Sequence, residues 1–148
     1  MTRASRLIIG IGNPSRGDDA LGPRAIERLE ALKLPDVELL TDFQLQVEYL
    51  LDMAGREEVV FIDASASGEE AFQFAPITAL ADQSFSSHAL TPPAVLAAYE
   101  RHYGQAAPPA YVLAIRGYEF ELGEELSKQA ALNLEAALAF LAGRLTLP

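Results

Sequence analysis

Three aspartates and one histidine stand where side chains of their type could work on a metal ion or a carbonyl group. Asp19 follows the apolar run Leu7–Ile11 across a Gly12-Asn13-Pro14 turn, Asp42 follows Val37–Thr41, and Asp63 closes Val59-Val60-Phe61-Ile62. His88 comes from a fourth polar stretch. A single acid after a strand is ordinarily a turn or helix-cap residue. Acids beyond the carboxyl ends of several parallel strands converge, and two carboxylates with an imidazole make an open site for a divalent ion. Imidazole suits nickel, zinc or iron, and the carboxylates supply charge. Positions would remain for water or substrate. Asp18 adjoins Asp19; either could cap the helix that follows, and spacing alone does not choose between them.

Other chemistries fall away. The chain has no cysteine, which removes disulfides, thiolate metal sites and a cysteine nucleophile. Gly10-Ile11-Gly12 opens like a dinucleotide fingerprint, but the third glycine position is Ser15, and Asp18 and Asp19 would oppose a pyrophosphate there. No Gly-x-Ser-x-Gly turn presents a serine nucleophile, so Ser15 and Ser87 are read as loop hydrogen-bonders. His102, among Glu100, Arg101 and Gln105, is read as solvent-facing. The formal net charge is −10, and without a basic patch this excludes a nucleic-acid partner. No apolar run approaches the roughly 20 residues of a membrane span. The Gly-Asn-Pro turn also interrupts any signal-peptide core after Arg3 and Arg6, so the expected location is the cytoplasm.

The elements that must hold these residues alternate. Leu7–Ile11 reads as a strand buried on both faces, followed by a helix from about Pro23 to about Lys33. Val37–Thr41 is a second strand, and Val47, Leu50, Leu51 and Ala54 mark a second helix closed by Gly55. Val59–Ile62 is a third strand ending abruptly at Asp63, with a short edge strand near Ala71–Phe74. Thr91-Pro92 caps a helix running to Gly104. Tyr111–Ile115 is a further buried strand. Ser127 caps a long helix whose apolar face holds Leu134, Leu138 and Leu141, with Asn133 and Glu135 on its wet side. This alternation predicts a three-layer α/β/α sandwich around a mostly parallel, twisted sheet of about five strands. At 148 residues, with no linker or repeat, residues 1–148 are read as one domain. Ligands in such sheets bind beyond the carboxyl ends of the strands.

Leu7-Ile8-Ile9-Gly10-Ile11-Gly12-Asn13-Pro14, with Gly17-Asp18-Asp19 and Gly22, resembles the amino-terminal signature of the hydrogenase maturation proteases. Asp42, the following helix through Leu51-Asp52-Met53, Val59 to Asp63-Ala64, and Ser87-His88 occur in that family's order, so the resemblance covers nearly the whole chain. It implies that Asp19, Asp63 and His88 are the catalytic and metal-binding residues, which separates Asp19 from Asp18; relatives carry glutamate at the position of Asp19. It further implies cleavage of a C-terminal extension from the nickel-loaded large-subunit precursor of a [NiFe] hydrogenase, with nickel supplied by the precursor. Asp42 corresponds to an acid involved in recognition, although Phe43-Gln44 replaces a glycine-rich continuation found in relatives. A monomer with no tight structural metal is expected, since few protein ligands and no thiolate are offered. Asp18 is then left as a cap or solvated acid.

The loop Arg116-Gly117-Tyr118-Glu119-Phe120-Glu121 leaves a strand at the same end as the acids. Arginine and aromatics are enriched at interface hot spots, so Arg116 and Tyr118 are candidate substrate-recognition residues; the plainer reading is that Tyr118 and Phe120 tuck under the sheet edge. Two alternatives stand beside the protease reading. One is a nickel-sensing assembly factor that binds a precursor without cutting it; the other is a peptidase of similar fold with an unrelated substrate.

Overall fold

The computed structural model describes residues 3–81 and 90–146. β1 (Arg6–Ile11), β2 (Val37–Asp42), β3 (Glu58–Ser65), β4 (Phe72–Ile77) and β5 (Ala110–Arg116) form one sheet in the order β2-β1-β3-β5-β4. Every neighbouring pair is parallel except β4, which runs antiparallel on β5 at the edge. The helices are α1 (Leu21–Ala31), α2 (Tyr49–Met53), α3 (Pro92–Tyr103) and α4 (Lys128–Leu145).

Side-chain alternation along the strands builds a core on each face of the sheet. Ile8 of β1 and Val60 and Ile62 of β3 pack with Ile26 of α1 and Leu138 of α4. Leu7, Ile9, Val59 and Phe61 point the other way, to Met53 of α2 and Val95 and Tyr99 of α3. Both faces are therefore covered, which is why the central strands read as continuous apolar runs. The expected α/β/α layering and mostly parallel sheet are what the chain adopts.

Several boundaries differ from the sequence reading, each for a local reason. β3 continues through Asp63 to Ser65 because β5 is long enough to pair with Asp63, Ala64 and Ser65 after β1 has ended at Gly10↔Ile62. The second helix is only Tyr49–Met53; the chain enters it through turns in which Tyr49, Leu50 and Leu51 donate backbone bonds to Gln46, Val47 and Glu48. α1 begins at Leu21 and stops at Ala31, and Lys33 then takes a positive φ of 49°. Asn133, expected on the wet side of α4, is buried; its amide donates to the Arg116 carbonyl (3.0 Å) and the Tyr118 hydroxyl (3.0 Å) and accepts from Gln129 (3.1 Å). The caps behave as expected: Thr91 accepts from Ala94 and Ser127 from Ala130, each at 3.3 Å.

From β1 the chain crosses outward to β2, then back over β1 to β3. The crossing direction reverses there, so the crevice between the carboxyl ends of β1 and β3 is the topological switch point. α1 reaches that crevice closely because Gly22 has no side chain. A Cβ on Gly22 would lie 2.7 Å from the Ile11 nitrogen and 2.8 Å from the Ile62 carbonyl oxygen. Gly22→Ala is accordingly expected to push α1 off the sheet and destabilise the protein by about 1–3 kcal/mol, the usual cost of overpacking. Urea unfolding checks this: the midpoint should fall with the slope unchanged.

Candidate functional site

Asp63 is the first residue of β3 beyond its pairing with β1, so its carboxylate stands at the mouth of the switch-point crevice. By alternation it belongs to the face of Val59 and Phe61, the side covered by α2 and α3. Its Oδ1 accepts from the Ala64 amide at 2.8 Å. Burial pushes its pKa up, the Ala64 bond opposes this, and the charge of Asp19 adds to the rise, giving a value of about 6. The turn that carries Asp19 packs against β3, near enough for its charge to bear on Asp63.

Asp19 sits in the 3-10 turn Gly17–Ala20 after β1. Its Oδ2 accepts from the Asn13 backbone amide at 2.8 Å, and Asn13 in turn holds the loop by accepting from the Ser15 amide at 2.9 Å. Gly12 permits this fold-back: its φ is +147°, and any Cβ there would collide with the Asp19 carbonyl. Asp19 and Asp63 thus come from consecutive ends of the two central strands, as the sequence indicated.

Asp18 has a different fate from the one expected. It is neither solvated nor a cap of α1; it is fully buried. Its Oδ2 accepts from the amides of Tyr118 (2.7 Å) and Glu119 (3.0 Å) and from the Ser127 hydroxyl (2.7 Å), and its Oδ1 accepts from the Ser127 amide (2.7 Å). Burial alone would raise its pKa, but the bonds from Ser127, Glu119 and Tyr118 together hold it below the usual carboxylate range. The adjacent acids have divided labour, one inward and one toward the crevice.

Asp42 ends β2 at the same edge, level with Ile11. Its Oδ1 accepts from the Phe43 amide (2.7 Å) and its Oδ2 from the Tyr49 hydroxyl (2.8 Å). Burial and the Asp42 carboxylate push the Tyr49 phenol up to about 12. Tyr49 was not singled out in the sequence; its spacing of seven residues from Asp42 bridges a loop and carries no periodic signal. Arg116 ends β5 and Tyr118 lies just past it, the guanidinium 4.5 Å from the ring centroid. Arg116 also donates to the Gly68 carbonyl at 2.8 Å. Tyr118 remains 44% exposed, so it is not tucked under the sheet, whereas Phe120 is half-buried and would meet a Cβ on Gly117 at 2.9 Å. Phe43, which follows Asp42, and Val47 and Leu51 further along the chain are exposed apolar residues.

Ser87 and His88 lie outside the described residues. Among the described residues no group of three His, Cys, Asp or Glu side chains is placed to hold a metal. No described helix is long and apolar enough to cross a membrane.

The two neighbouring acids should affect stability with opposite sign. For Asp63 the folded pKa lies above its ordinary value of 3.8, so the folded state keeps a proton that the unfolded chain releases. Stability falls as pH rises through about 4 to 6 and stays lower above that window. Asp63→Asn is expected to stabilise the fold at pH 7.5 by on the order of 1–3 kcal/mol, with the gain shrinking toward pH 4. Asp18 has a lowered pKa, so its contribution is present above its ordinary value and lost as pH falls through the folded one. Asp18→Asn should cost about 2–4 kcal/mol at pH 7.5, because it sets an amide against buried donors. Urea midpoints of both variants at the two pH values check the signs.

No family model matches the chain. It is 40% identical over 67 residues to the hydrogenase 2 maturation protease of Escherichia coli, a stretch covering 44% of this chain and 41% of that relative. In structure it is similar to the [NiFe] hydrogenase maturation protease HycI of Thermococcus kodakarensis, with a TM-score of 0.75, 28% identity, and coverage of 98% of this chain and 94% of the other. It is also similar to the hydrogenase maturating endopeptidase HybD of E. coli, with a TM-score of 0.75, 27% identity, and coverage of 98% and 92%. The local sequence match and the likeness of fold over nearly all of both structures point the same way: in sequence and in fold the chain is similar to hydrogenase maturation proteases.

Proposed function

We propose that the protein is an endopeptidase that removes a C-terminal extension from the nickel-loaded large-subunit precursor of a [NiFe] hydrogenase. The observation that carries this reading is the electrostatically coupled pair Asp19 and Asp63 at the switch point of a fold shared with maturation proteases. Such a pair suits peptide hydrolysis. A water oxygen attacks the scissile carbonyl carbon, the C–N bond breaks, and a proton passes to the departing amine. A carboxylate near its pKa at working pH can take or give that proton.

Nickel enters this scheme as part of the substrate. Oxygen donors from Asp19 and Asp63 with an imidazole from His88 match what a borderline divalent ion accepts, and three anchored groups would orient the adjoining peptide. His88 precedes Leu90 by two residues, and Leu90 packs on the core face to which Asp63 belongs. That proximity along the chain supports His88 as the third group. Asp42, Arg116 and Tyr118 line the same end of the sheet and are assigned to precursor recognition. In this reading the resting protein is a monomer of the cytoplasm with no structural metal of its own. The alternative, a nickel-sensing assembly factor that binds without cutting, makes a different prediction in the same experiment.

Mixing the protein with nickel-loaded precursor, and separately with nickel-free precursor, should give a discrete C-terminal mass loss in the first only. Binding without mass loss would favour the assembly factor. Asp19→Asn, Asp63→Asn and His88→Ala should each abolish cleavage while leaving circular dichroism unchanged; a folded variant that cuts at the wild-type rate removes its residue from the site.

For the recognition residues, Tyr118→Ala should raise the precursor concentration needed for half-maximal processing several-fold and leave turnover at saturation unchanged, as when uniform binding is lost. Lower turnover at unchanged apparent affinity would place Tyr118 in the chemistry instead.

A further inference from the structure

The loop that carries Asp19 is joined to the loop after β5 by more than the Asp18 side chain. The Asp18 amide donates to the Glu119 carbonyl (2.7 Å), the Gly17 amide to the Glu124 carbonyl (3.0 Å), and the Gly123 amide to the Ser15 carbonyl (2.7 Å). Asp18 is therefore clamped at both its backbone and its carboxylate. The next residue is Asp19, whose own amide donates to the Arg16 carbonyl (3.0 Å) and whose side chain turns back to the Asn13 amide. With the Asp18 peptide fixed, the direction in which Asp19 leaves the chain is fixed as well.

We propose that Asp18 is a positioning residue: by locking the loop Gly117–Ser127 onto the loop Gly12–Ala20, its buried carboxylate holds Asp19 against Asn13 and toward Asp63. The consequence for specificity is direct. The backbone amides of Tyr118 and Glu119 are two of the donors, so displacement of the Tyr118 loop by a docking partner is transmitted to the Asp19 carboxylate through one side chain. A helix cap or a surface acid at this position could not do that.

The inference rests on the reading of Asp19 as a site carboxylate, but its test needs no precursor, so its failure is distinguishable from failure of the proposed activity. Amide hydrogen exchange on the full chain, followed by NMR, reports the Asn13-to-Asp19 bond directly. In Asp18→Asn, protection of the Asn13 amide is expected to fall about tenfold or more, as in local opening. Ser127→Ala removes one of the four bonds to Asp18 and should lower Asn13 protection by about threefold. The Asp19→Asn variant gives the reference signal for a broken contact. If Asn13 protection stays within twofold of wild type in both variants while core amides such as Ile9 and Phe61 lose theirs, Asp18 serves stability alone and the proposal is overturned. Should Asp18→Asn not fold, Ser127→Ala decides by the same criterion.

Discussion

The structure turns on a carboxylate with no access to water. Burying Asp18 as an anion carries a large desolvation cost, and it persists because four donors from a single loop converge on it, each bond charge-assisted and stronger than a neutral one. Forty-five residues on along the chain, Asp63 is half-buried and, among the described residues, has a single backbone donor; its pKa is raised rather than lowered. Two identical side chains are thus tuned apart, one by the hydrogen bonds that converge on it and the other by burial and a neighbouring charge. One becomes architecture and the other a group that can exchange a proton near neutrality.

That division depends on the sheet. Because β1 stops before β3 and β5 do, the last turn of β3 projects past its neighbour and leaves room for the loop that follows β1 to fold back. Close packing of α1 on the β1 and β3 ends fills the inner side of the same crevice. The acid pair therefore sits on rigid elements, strand ends and a hydrogen-bonded turn, which is where a reacting geometry can be held to fractions of an ångström.

Much of this was legible in the residues. The uninterrupted apolar runs of β1, β3 and β5 announced a sheet covered on both faces, and the acids after β1, β2 and β3 stood at one end of it. What could not be read was which bonds those acids make. Asp18 and Asp19 are equivalent in sequence, and the donors that distinguish them lie about a hundred residues away. Asn133 shows the same limit: its polarity suggested the wet face of α4, but it is buried because it satisfies the Arg116 carbonyl and the Tyr118 hydroxyl. The helix after β2 was overextended because Val47, Leu50, Leu51 and Ala54 keep helical spacing through a segment that begins as turns. Long-range hydrogen bonding, rather than local propensity, accounts for each departure.

The edge strand β4 has a consequence of its own. Phe74 stacks on Tyr111 of β5 at 5.0 Å, and the Arg144 guanidinium lies over both rings, so its apolar side chains are occupied within the molecule. Its outer backbone would still be a template on which a stray strand could add. Pro76, next to the end of that edge, supplies no N–H, and the tertiary amide interrupts the ladder any incoming strand would need. A parallel-sheet protein assembles slowly enough to expose its edges while folding; here the antiparallel rim strand carries its own guard against aggregation.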